Sequence, residues 1–111
     1  MKVNVRQRDG VTILDLKGKI TIGVGDVALR NAVQEVINAG NTKVIINLQD
    51  VTTMDSSGVG ELVSAYTTAT NRGAKLRLEN LPAKVSDILH ITQLITVFDV
   101  YDTEDEAVGS F

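Results

Sequence analysis

Hydrophobic residues along this chain switch repeatedly between a two-residue and a 3.6-residue period, and the switches predict where strands and helices fall. Val3 and Val5 alternate with Asn4 and Arg6, which predicts a half-buried strand over Val3–Arg8. Asp9-Gly10 follows, a pair that tolerates positive φ and marks a tight hairpin turn. Val11, Ile13, Leu14 and Leu16 then form a second strand over Val11–Lys17, which Gly18 is expected to end. Leu29, Val33, Val36 and Ile37 share one face of a helix from Asp26 to about Ala39, stopped by Gly40-Asn41. Lys43–Leu48 is an almost unbroken apolar run, the pattern of a strand covered on both faces or central in a sheet.

Val59, Leu62, Val63 and Tyr66 recur at helical spacing, so a second helix runs through Glu61–Asn71 to a stop at Arg72-Gly73. Leu76 and Leu78 alternate with Lys75 and Arg77 in a strand over Ala74–Glu79. Pro82 suits the first turn of a helix with Val85, Ile88, Leu89 and Thr92 on its inner face. Val97–Tyr101 reads as a short strand, and Thr103-Glu104-Asp105-Glu106 as a capping box opening a short final helix. The acids there suit the helix dipole and need no functional explanation. One hairpin followed by alternating strands and helices implies an α/β fold. Its mixed sheet should have four or five strands, antiparallel in the N-terminal hairpin and parallel beyond it, with about four helices.

Composition narrows the function more than the fold. The 111 residues fit one domain, 1–111, and 43% hydrophobic content supplies a core without staples. There is no cysteine, which excludes disulfides, thiolate metal sites and cysteine nucleophiles. No metal site and no cofactor are expected. The net charge is -3 and the 11 basic residues form no run, which argues against nucleic acid. Neither a secretory leader nor an apolar stretch of ~20 residues is present, so the expectation is a cytoplasmic protein without a membrane partner.

Two stretches carry candidate chemistry. Gly23-Val24-Gly25-Asp26-Val27-Ala28 fits a loose dinucleotide fingerprint, with Asp50 near the spacing of a ribose-binding acid. The chain is too short for two mononucleotide-binding halves, so Gly23 and Gly25 read as a turn, with Asp26 capping the next helix. The other stretch is Thr53-Met54-Asp55-Ser56-Ser57-Gly58-Val59-Gly60, between the apolar strand and the second helix. Ser56 or Ser57 is placed to cap that helix. A serine nucleophile would need a base; His90 is the only histidine, and the turn lacks a Gly-x-Ser-x-Gly elbow. A small serine hydrolase or phosphatase is therefore the weaker reading.

Asp55-Ser56-Ser57-Gly58-Val59-Gly60, after "VIINLQDVTTM" and before an amphipathic helix, resembles the signature of the anti-sigma-factor antagonists, the stand-alone bacterial members of the STAS domain family. "ILDLKGKIT", "LRNAVQEVINAG" and "GAKLRLENLPAKVSDILHITQL" are similar to the family's second strand, first helix and later strand and helix. The resemblance implies a STAS fold and a partner-switching role in transcription. Ser56 would be phosphorylated by an anti-sigma serine kinase, with Ser57 the alternative, and a serine phosphatase would reverse it. The unphosphorylated form would sequester the kinase and free a sigma factor. Lys19, Thr21, Asp55, Ser57, Gly58, Val59 and Glu61 would form the partner surface.

Physical chemistry supports such a switch. A helix N-terminus favours a phosphate, and a modification of about -1.5 to -2 charge beside Asp55 would repel a docked partner. Gly58 and Gly60 are expected to let a partner backbone approach closely. Two departures from the family pattern stand out. Gly18-Lys19-Ile20-Thr21 replaces Gly-Glu-Ile-Asp, and Glu61 replaces an apolar residue. A STAS docking scaffold without its own phosphorylation cycle is the alternative.

Overall fold

The computed structural model describes residues Met1–Phe111. Five strands, β1 (Lys2–Arg8), β2 (Val11–Ile20), β3 (Lys43–Met54), β4 (Lys75–Glu79) and β5 (Asp99–Tyr101), form one sheet in the order β1-β2-β3-β4-β5. β1 runs antiparallel to β2, and every later neighbour is parallel. Four helices connect or follow them: α1 (Gly25–Asn38), α2 (Ser56–Asn71), α3 (Ala83–Ile91) and α4 (Glu104–Gly109). The expected α/β architecture is the one observed.

Asp9 (φ 52) and Gly10 (φ 79) both take positive φ, which closes the β1–β2 hairpin in the sense that matches strand twist. The structure departs from the periodic reading in several places, β3 among them, which runs on past Leu48 to Met54. Gly18 does not end β2. At φ 111 it takes part in a register shift against β3, and the strand runs on to pair Lys19 with Thr53 and Ile20 with Met54. β1 does not bury its valines evenly, because Val5 on this edge strand is 50% exposed. Val97, expected to start β5, belongs instead to a 3-10 turn over Leu94–Val97.

One face of the sheet carries the main core. Leu14 and Leu16, Val44, Ile46 and Leu48, and Leu76 and Leu78 pack against Leu29 and Val33 of α1, Leu62 and Ala65 of α2, and Val85 and Leu89 of α3. The opposite face holds a smaller cluster in which Val11, Ile13 and Ile45 pack against Ala107 of α4. β3 is thus covered on both sides over Val44–Ile46, which accounts for its unbroken apolar run. Thr103 Oγ1 accepts the Glu106 N–H at 3.2 Å, so the expected cap opens α4. Its acids are not solely dipole partners, because Glu104 is also bonded to Arg6 and Arg8.

Candidate functional site

The turn between β3 and α2 is built around Asp55. Neither serine is the cap: Asp55 is the last residue with extended backbone (φ -102, ψ -174), and Ser56 and Ser57 already lie in the helix. A cap must sit outside the helical dihedrals to aim its side chain at the third helical N–H, and only Asp55 does. Its Oδ1 accepts the Gly58 N–H at 3.0 Å. Its Oδ2 accepts the Ile22 N–H at 3.1 Å, from the loop between β2 and α1. These bonds, Gly58 first and Ile22 second, hold the carboxyl below the usual aspartate range. Asp55 therefore fastens the β2–α1 loop to the start of α2. Ser56 is left exposed and Ser57 half-buried.

Glycine brings both helix starts onto the end of β2. A Cβ on Gly58 would lie 2.2 Å from the Ile20 carbonyl oxygen and 2.8 Å from Met54 Cγ. A Cβ on Gly25 would lie 2.0 Å from the Lys19 carbonyl oxygen. Only hydrogen fits at either place. Gly58 is therefore filled by its own chain rather than open to a partner backbone, whereas a Cβ on Gly60 would meet nothing. Gly25 likewise backs onto β2, and Gly23 takes a positive φ of 91 in the loop. The glycines of the loose fingerprint are thus accounted for by turn geometry and packing. Asp26 does not cap α1: Val24 occupies the cap position, and Asp26 Oδ1 accepts the neighbouring Val27 N–H at 2.7 Å.

The residues expected to meet a partner separate into two groups. Lys19 is exposed, and Thr21, Asp55 and Ser57 are half-buried around the turn. Glu61 accepts Arg30 Nε at 2.9 Å from α1, a salt bridge across the two helices. Gly58 and Val59 are buried in the packing beneath, with no surface of their own to offer. Periodicity overlooked an apolar collar on the loop that Asp55 holds: Ile22 and Val24 are 73% and 68% exposed, and Val27 also faces solvent. The signal was available as three branched apolar residues among glycines in Thr21–Val27, where no core face could claim them.

His90 lies exposed on α3, where its Nδ1 is 2.7 Å from the Ser86 carbonyl oxygen. Its bonds are to its own helix, not to the serines of the turn. No group of three or more histidine, aspartate or glutamate side chains is arranged to hold a metal ion. No helix is long and apolar enough to cross a membrane.

Comparison with known families gives this arrangement its class. The STAS domain model matches residues 2–107, and the chain belongs to that family. The anti-sigma-B factor antagonist of Bacillus subtilis (strain 168) is 29% identical over 100 residues, covering 90% of this chain and 90% of the relative. An anti-sigma factor antagonist from Mycobacterium paratuberculosis has a similar fold, with a TM-score of 0.87 at 24% identity over 98% of this chain and 92% of that one. The anti-sigma factor antagonist SpoIIAA in its unphosphorylated form shares the fold at a TM-score of 0.72 and 20% identity, covering 98% of this chain and 96% of that one. A phosphorylated form of SpoIIAA, from Bacillus, gives the same TM-score and identity.

Proposed function

We propose that this STAS domain is an anti-sigma-factor antagonist, a cytoplasmic binding module without catalysis of its own, switched by phosphorylation of Ser56. Unphosphorylated, it sequesters an anti-sigma serine kinase and so frees a sigma factor; a serine phosphatase restores that form. The observation that carries this reading is the division of labour at the turn. Asp55 supplies the cap, so the exposed Ser56 hydroxyl has no structural duty and is open to a kinase. The name of the Bacillus subtilis relative and the two SpoIIAA forms support the same reading.

The mechanism follows from what already occupies the helix start. Asp55 holds the Gly58 N–H, so a phosphate on Ser56 projects outward beside an ionised carboxylate instead of taking over the cap. The added charge and its hydration shell then sit next to the apolar collar of Ile22, Val24 and Val27. A partner that must dry that collar would meet a surface it can no longer desolvate. The fold is unchanged while docking fails.

Capture of the kinase from native extract, followed by ATP and mass spectrometry, tests this. Phosphate is expected on Ser56. Ser56→Ala should bind without being modified, and Ser56→Asp should fold normally but bind at least tenfold more weakly. Phosphate found only on Ser57 would move the site by one residue. Phosphate on neither serine would replace the switch by a docking scaffold.

A further inference from the structure

Away from the turn, polar residues form a row across the sheet on the face that α4 covers. Asn4 pairs with Asp15, Asp15 with Asn47, Asn47 with Glu79, and Glu79 with Tyr101. Glu79 is fully buried, and its Oε1 has no hydrogen-bond partner. Its Oε2 accepts Asn80 Nδ2 at 3.1 Å. The other group in reach is the Glu104 carboxyl at the start of α4. Two carboxylates in contact cannot both stay ionised without large cost, so one of them holds a proton.

The surroundings decide which one. Arg6 of β1 donates to Asp15 at 2.7 Å and to Glu104 at 3.0 Å, and Arg8 donates to Glu104 at 2.9 Å and to Asp105. Asp15 also accepts Asn47 Nδ2 at 2.8 Å. Glu104 is thus rich in cationic donors and stays ionised, its carboxyl held below the ordinary range by Arg6 first. Glu79 has no cation of its own. Burial, and then the neighbouring Glu104, push it up from 4.5 to about 8.

With Glu79 neutral, Arg6 and Arg8 balance Asp15 and Glu104, while Asp105 faces solvent. Ionising Glu79 would leave three inner carboxylates around two guanidinium groups. Tyr101 of β5 is the remaining titratable neighbour in the row. Arg77, two residues earlier on the same strand, is engaged by Ser110 and the Phe111 ring and cannot compensate.

We propose that the Glu79–Glu104 pair is a proton-dependent latch, holding α4 on the sheet while it shares a proton and releasing α4 when that proton leaves. Release uncovers Val11, Ile13 and Ile45, which Ala107 covers in the closed state. The sign follows from linkage. Glu79 binds its proton more tightly docked than undocked, so docking is strongest below the undocked titration point. It weakens as pH rises towards the docked one and changes no further above it.

Amide hydrogen exchange over Glu104–Gly109, corrected for the intrinsic base-catalysed rate, tests the latch in the full chain. In wild type, the opening equilibrium of α4 should rise by up to about tenfold per pH unit between the two titration points. Glu79→Gln keeps a donor but cannot ionise, and it should hold α4 protection flat over that range. The wild-type Glu79 carboxyl, followed by carbon-13 NMR, should titrate well above an ordinary glutamate, and that measurement decides the matter if the variant fails to fold. Ordinary titration of Glu79, pH-independent α4 protection in wild type, or an unchanged pH dependence in Glu79→Gln would each overturn the proposal.

Discussion

Asp55 follows β3 and Glu79 closes β4, neighbouring strands of one sheet, and their carboxyls are shifted in opposite directions. Asp55 meets two backbone N–H groups, from Gly58 and Ile22, and is held ionised. Glu79 meets one amide and a second carboxyl, and is held protonated. Burial is the leading cause at Glu79 and backbone hydrogen bonding at Asp55, so the supply of donors separates them alongside burial. A helix that starts directly after a strand presents backbone N–H groups with no partner of their own, and Asp55 takes one. Glu79 lies within the ladder between β3 and β5, where the backbone is already paired. Its side chain can reach only other side chains. A charge is therefore sustained where the backbone has donors to spare, and a proton where it has none.

The strongest way to break the Asp55 side of this contrast is to push α2 off β2. Gly58→Ala would force a methyl group to 2.2 Å from the Ile20 carbonyl oxygen, which backbone cannot absorb without shifting. We expect a loss of about 3 kcal/mol in denaturant unfolding, at the upper end for overpacked sites. Gly60→Ala is the matched control. It lies two residues on in the same helix with open space around it, and should gain about 0.5–1 kcal/mol from helix propensity. Equal effects at the two glycines would show that close packing does not set the geometry of the turn.

Removing the carboxylate itself comes next. Asp55→Ala should lower the melting temperature by about 5 °C at neutral pH, as expected for one lost cap in a domain of this size. Asp55 is lowered in the folded state, so its contribution is present above its unfolded titration point and is lost as pH falls through its folded one. The gap between wild type and variant should therefore close only below about pH 4, the ordinary aspartate range. Melting curves from pH 2 to 7 read this directly. The latch proposed for Glu79 weakens in the opposite direction, as pH rises.

Much of this contrast was hidden from a reading of periodicity, for identifiable reasons. The hairpin was legible because Asp9-Gly10 has few conformational alternatives, and β3 because Val44–Ile46 is buried on both faces. The faces of α1 and α2 were legible because each packs on a single core. The identity of the α2 cap was not, since aspartate and serine cap about equally well and only the backbone at Asp55 decides. Gly18 misled because a glycine that ends a strand and one that kinks it look alike in sequence. Glu79 was the hardest. Its neighbour Glu104, held by Arg6, reaches it only through the sheet register and the return of α4. For the candidate site, the serines and Asp55 were visible as a motif. The collar at Ile22 and Val24 escaped a reading by periodicity, because it belongs to no periodic face and shows only as branched apolar residues among glycines.

Glu61 sharpens the comparison at its smallest scale. It is a third carboxylate, in the second turn of α2, and its donor is the Arg30 side chain on α1 rather than a fixed backbone N–H. Arg30 is half exposed, with 47% of its side chain open to water. Such a donor must be ordered from many rotamers and is screened by solvent, so the pair should contribute little. We expect Glu61→Gln to change the melting temperature by no more than about 2 °C, and 0.5 M salt to erase what difference remains. Asp55→Ala should keep most of its effect in the same salt, because its loss is one of hydrogen bonds fixed by the backbone. If Glu61→Gln instead matched Asp55→Ala in size and in salt resistance, the mobility of the donor would be irrelevant. The ranking that places backbone donors above side-chain donors at this end of the sheet would then fail.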